Sequence, residues 1–101
     1  MTINEREYKR IEAAIEAAID AATWAPFPAP PGPGCASYEG QGNGWRLLVV
    51  SFSIEDQGFP PGSLGYDGSA TFPAQALVVR LTRPQAKRAF ERAEKQAHGT
   101  N

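Results

Sequence analysis

Cysteine and histidine are nearly absent from this chain, which carries one of each, Cys35 and His98. A single cysteine can form no intrachain disulfide, so the fold has no covalent staple and nothing points to an oxidising compartment. A nucleophilic cysteine needs a base held beside it. The sole imidazole stands three residues from the end of the sequence, in a segment expected to fray. Cys35 therefore reads as a small semi-buried residue rather than a nucleophile. Long apolar runs are lacking too. The longest is Leu47–Val50, against the ~20 residues of a membrane helix. The opening residues MTINEREYKR hold no apolar stretch of the length a signal peptide requires. These absences lead to an expectation of a cytoplasmic protein that engages no membrane.

An excess of one charge is also missing. Ten Lys and Arg face eleven Asp and Glu, for a net charge of −1. A general polyanion binder carries a clear basic excess. The charge is unevenly distributed, however: residues 1–20 sum to −2, residues 21–79 to −3 and residues 80–101 to +4.

What the chain has in quantity is glycine and proline, ten and nine residues respectively. They gather in two blocks, and both blocks invite functional readings that fail on inspection. In Pro26–Gly34, PFPAPPGPG, Pro28 and Pro31 have PxxP spacing, but no Arg or Lys lies nearby to anchor a Pro-binding module. A stiff connector is the better reading. Gly40, Gly42 and Gly44 give G-x-G-x-G, but a strand follows where a phosphate loop needs a helix N-terminus. Asn43-Gly44 is tight-turn chemistry instead. The second block, 55–68, contains Glu55, Asp56 and Asp67. Their spacing fits no calcium loop, so no metal and no cofactor is expected.

Between these blocks lies the organising stretch, Trp45–Ile54, WRLLVVSFSI. Trp45, Leu47, Val49 and Ser51 alternate with Arg46, Leu48, Val50, Phe52 and Ile54. Both faces are largely apolar, the mark of a strand covered on both sides. A second strand is expected at Gln75–Leu81. Thr2-Ile3-Asn4-Glu5 fits a capping box for a first helix carrying Tyr8, Ile11, Ile15, Ile19 and Ala22 at helical spacing and stopping near Thr23–Trp24. Thr82 and Pro84 mark the start of a last helix, whose thin apolar stripe is Ala86, Ala89, Phe90, Ala93 and Ala97. Leu64–Tyr66 and Ser69–Phe72 make a candidate small hairpin around Asp67-Gly68.

The expected architecture is α+β: a single small domain over 1–101, with an antiparallel sheet of two to four strands packed by an N-terminal and a C-terminal helix in α-β-β-α order. Residues 25–44 form a Pro/Gly-rich connector, 55–68 an irregular loop and 97–101 a frayed tail. The expected core is Ile11, Ile15, Ile19, Leu48, Val50, Phe52, Leu77, Val79, Leu81 and Phe90.

Function follows only as a class. No catalytic constellation is present, so a non-enzymatic interaction or regulatory protein is expected, with an unknown protein partner or a homodimer. The argument is a mismatch: two thin helices cover one face of a strand that is apolar on both. Tyr38, Trp45 and Phe52 are the candidate interface anchors, because aromatic residues dominate interface energetics. The alternative is a nucleic-acid-associated protein that tracks phosphates with Arg83, Lys87, Arg88, Arg92 and Lys95 on the last helix. Glu12, Glu16 and Asp20 form an acidic column on the first helix, opposite in sign to that basic stripe. The two can pair within one molecule or across a dimer.

Overall fold

The computed structural model describes residues 4–27, 36–55 and 58–97. Thr2, the prolines from Pro28 to Pro33, Cys35, Asp56 and the tail from His98 lie outside them. The elements run α1 (Glu5–Ala21), β1 (Thr23–Pro26), β2 (Ala36–Gly42), β3 (Trp45–Ser53), β4 (Leu64–Phe72), β5 (Leu77–Arg80) and α2 (Arg83–Ala97). The strands form one antiparallel sheet in chain order, β1-β2-β3-β4-β5. The α+β class and the helix at each end are as expected. The strand count is corrected from two to four up to five.

Local chemistry accounts for the boundaries. The cap of α1 is Asn4, whose Oδ1 accepts a hydrogen bond from the Glu7 N–H at 2.8 Å. Glu5 and Glu7 in the first turn oppose the helix dipole favourably. The helix ends at Ala21, short of Thr23, because Ala22 turns extended and the chain enters β1 at once. Proline is tolerated at the end of that strand because β1 is an edge. At α2 the expected cap is present and reciprocal: the Gln85 N–H donates to Thr82 Oγ1 at 3.3 Å and the Thr82 N–H to Gln85 Oε1 at 3.0 Å. Asn43-Gly44 closes the β2–β3 hairpin, with Gly44 at φ +76°.

Two irregular stretches contain more structure than expected. Ala36–Gly42, placed in the 25–44 connector, is a full inner strand paired along β3. Leu64–Gly68, placed in the 55–68 loop, is the first half of β4. Asp67-Gly68 is therefore no turn. Asp67 lies opposite Val50 and Gly68 opposite Val49. A Cβ at Gly68 would stand 2.7 Å from the Leu48 carbonyl oxygen, so the glycine serves close packing rather than chain reversal. The strand expected at Gln75–Leu81 is shorter, Leu77–Arg80, because Pro73–Gln75 form a 3-10 turn closed by Ala76 at φ +50°.

Both helices lie on one face of the sheet. They run parallel: Glu16 meets Gln85 and Arg88, Asp20 meets Arg92, and Ala22 meets Gln96. Beneath them sit Trp24, Tyr38, Leu47, Val49, Ala70 and Leu81, in one cluster with Ile15, Ile19, Ala86, Ala89, Phe90 and Ala93. The alanines of α2 let it approach the sheet closely. Its one large apolar side chain, Phe90, inserts between Tyr38 and Tyr66 at ring separations of 5.2 and 5.6 Å. Full burial of a side chain such as Ile19 or Leu47 stabilises the fold by about 1.5–3 kcal/mol.

The expected core is corrected at β3. Its buried face is Leu47 and Val49, while Leu48, Val50 and Phe52 point to the other side and are half-buried. The reason lies in the partner strands. Small residues flank Leu47 on both sides, Gly40 and Ala70, and Val49 on the β4 side, Gly68, with Tyr38 on its β2 side; the small ones leave room for the helices. Leu77 and Val79 are half-buried at the edge, whereas Ile15, Ile19, Leu81 and Phe90 are core as expected.

Candidate protein interface

The face of the sheet turned away from the helices is the candidate site. Alternation along β3 delivers Arg46, Leu48, Val50 and Phe52 to it. Register brings Glu39 beside Leu48 from β2, Ser69 and Asp67 beside Leu48 and Val50 from β4, and Val78 and Arg80 from β5. Among the described residues both helices pack on the opposite side from the row Leu48–Val50–Phe52. The face is closed at one end, where Ser37 is buried.

Two ion pairs border the apolar row. Arg46 is held by Glu39 on the β2 side, with Arg46 Nε donating to Glu39 Oε1 at 2.9 Å. Arg80 Nη2 meets Asp67 Oδ2 at 3.2 Å on the β5 side. Exposed pairs of this kind contribute about 0–1 kcal/mol each, and they leave the face close to electrically neutral. Beside the Glu39–Arg46 pair is an open depression of about 210 Å³ lined by Phe27, Glu39, Arg46, Leu47, Leu48, Ser69 and Thr71. Phe52 lies against Gly65 of the neighbouring strand, where a Cβ would overlap its ring. Glycine at that position lets the ring lie low on the sheet while keeping one surface open.

The three expected aromatic anchors separate. Phe52 is on the open face and half-buried. Trp45 is half-buried on the helix side, packed against the core with its ring over Gly42. Tyr38 is 9% exposed, because its register with Val49 turns it under Phe90. It is a core residue in this chain. Leu48, Val50 and Val78 complete the open face. The exposed-polar signal that identifies a surface strand is missing from β3, and this hid them as surface residues in the sequence.

The basic residues of α2 also divide. Arg88 is bonded to Glu16. Arg92 donates to the Asp20 carbonyl oxygen at 2.7 Å and stands 3.8 Å from its carboxylate. The acidic column of α1 and the basic stripe of α2 therefore pair within one chain. The hydrogen bond from Arg88 lowers the Glu16 pKa below the ordinary carboxylate value, and Gln85 adds to the effect. Arg83 and Lys87 are exposed at the start of α2, and Lys95 lies in its last turn.

Glu55 and Asp67, acids that might have formed a cation site, have other partners. Glu55 accepts from the Gly62 N–H at 2.7 Å, and Asp67 holds Arg80. Among the described residues no group of three Asp, Glu, His or Cys converges. No helix among them is long and apolar enough to cross a membrane. The chain matches no protein-family model, no curated protein and no solved structure.

Proposed function

We propose that the protein is a small non-enzymatic interaction protein that receives a partner protein on the open face of its sheet. One observation carries this reading: the row Leu48, Val50 and Phe52 lies only half-buried on a five-stranded sheet whose two helices both pack on the opposite side. An apolar centre bordered by charged and polar residues is the anatomy of a protein–protein contact. The rim charges are satisfied internally by Glu39–Arg46 and Asp67–Arg80, which suits an apolar and near-neutral partner surface. Arg88 and Arg92 are engaged by α1, so the basic stripe on which a nucleic-acid reading depends is already neutralised in part.

The test is a comparison of proteins retained by the wild type and by Leu48→Glu in a pull-down from the native host, with each candidate then titrated calorimetrically. A partner that binds the wild type directly and loses at least tenfold in affinity to the variant supports the reading. If every retained protein binds both forms equally, the open face is not the docking site.

A further inference from the structure

The two edges of the sheet are finished differently. On β1 the Phe27 N–H donates inward to the Ser37 carbonyl oxygen at 2.9 Å, so alternation turns the backbone nitrogens of Trp24 and Pro26 outward. Neither offers a free donor. The Trp24 N–H donates to Gln96 Oε1 at 2.9 Å, while Gln96 Nε2 donates to the Ala22 carbonyl oxygen at 2.9 Å. Pro26 has no N–H at all. A side chain of α2 and an imino acid together seal that edge, one of the ways sheets avoid unwanted pairing.

On β5 the Leu81 N–H donates inward to the Gly68 carbonyl oxygen at 2.9 Å. The same alternation points the N–H groups of Val78 and Arg80 outward, and among the described residues nothing bonds to them. Val78 is 65% exposed and Tyr8, on the adjoining end of α1, is 52% exposed. Tyr8 borders the same small crevice as Val79 and Arg80, so two of the most exposed large apolar side chains gather at the unsealed edge.

We infer that β5 pairs with β5 of a second copy of this chain. Every neighbouring pair of strands in the sheet is antiparallel, and an antiparallel pair of identical strands has its own two-fold axis. With Val78 opposite Val78 of the partner, each Val78 N–H meets the Val78 carbonyl of the other copy. Leu77 lies opposite Val79 of the partner, apolar against apolar, and the helices of both copies stay on one side. The product is a continuous sheet of twice the width with its two open faces side by side. Any partner of the open face would then meet two copies at once, but the pairing itself does not depend on what that face binds.

The area of contact sets the strength. A four-residue strand is only ~13 Å long, and strand pairing alone falls short of the ~800 Å² per partner of a standard interface. Tyr8 enlarges the contact without changing that conclusion. The dimer is therefore a concentration-dependent species rather than an obligate one.

Sedimentation equilibrium over a concentration series of the full chain tests this. The expected result is a mass rising from that of the 10.9 kDa monomer towards twice that value. Val78→Pro removes an outward N–H without taking an inward bond, and Val78→Lys sets like charges across the axis. Both are expected to remain monomeric with an unchanged circular dichroism spectrum. Register is read separately, in a Cys35→Ser background. Val78→Cys is expected to form an oxidised dimer, since facing residues in a hydrogen-bonded pair have Cα atoms about 5.5 Å apart, within disulfide reach. Thr71→Cys, one strand further in, is expected to stay monomeric, its two copies being three strand spacings or about 14 Å apart. A wild type that remains a monomer at the highest attainable concentration overturns the proposal. So does a dimer that survives both Val78 variants, or cross-linking that is equal at the two cysteine positions.

Discussion

Leu47 and Leu48 are neighbours in sequence and identical in side chain, yet they live on opposite faces of one sheet. Leu47 is 1% exposed beneath the helices, while Leu48 lies half-buried on the open side. The difference is made by what stands across from each. Leu47 faces Gly40 and Ala70, whose small side chains leave space for α1 and α2. Leu48 faces Glu39 and Ser69, both polar. A helix docks where the sheet is low and apolar, and among the described residues no helix packs on the hydrophobic residues of the other face.

That comparison is easiest to break at its centre. Leu47→Ala leaves a cavity under both helices and is expected to lower unfolding free energy by about 2–5 kcal/mol in urea titrations. Leu48→Ala is expected to cost less than Leu47→Ala, since its side chain is only partly buried. Equal losses at the two positions would mean that the open face is covered in solution. The two sheet edges invite a milder version. Gln96→Ala removes both bonds that seal β1 and is expected to cost about 1–2 kcal/mol, with faster hydrogen exchange at the Trp24 amide. An unaltered Trp24 exchange rate would show that another group protects that edge.

The smallest effect concerns the helix pair. The folded pKa of Glu16 is lowered, first by the hydrogen bond from Arg88. A carboxylate depressed on folding contributes stability above its unfolded pKa, and that contribution is lost as pH falls through the folded one. The pair is partly solvated, with Glu16 39% exposed, so the contribution is a few tenths of a kcal/mol. Glu16→Gln should therefore flatten the acid limb of a stability–pH profile slightly while leaving the region above neutrality little changed in slope. A variant whose acid limb matches the wild type would place the pair outside the stability balance.

Much of this fold was legible because its signals are local. The cap at Thr82, the turn at Asn43-Gly44, the apolar stripe of α1 and the strand at Trp45 each depend on residues within a few positions of one another. The full lengths of β2 and β4 were not legible, since ASYEGQG and LGYDGSATF are rich in the glycines and polar residues that mark loops. These segments are strands because β3 supplies their backbone partners, and their glycines are sites of close approach to Trp24, Phe52 and Leu81. Of the aromatic anchors named from sequence, Phe52 lies on the open face. Tyr38 lies in the core, since an aromatic in a glycine-rich stretch gives no sign that its register puts it beneath Phe90.

The amino-acid sequence alone determined the class: two amphipathic helices around an antiparallel sheet, no disulfide, and one strand with hydrophobic residues on both sides. It determined the opposite charge of the two helices as well. Only the tertiary structure decided which side of that strand became the core, that the acidic and basic columns meet within one chain, and that one edge of the sheet is sealed while the other is open. The physical reason is that periodicity specifies which residues share a face, but not what packs on it. Occupancy depends on the size of residues brought alongside from other strands, and that is fixed by register.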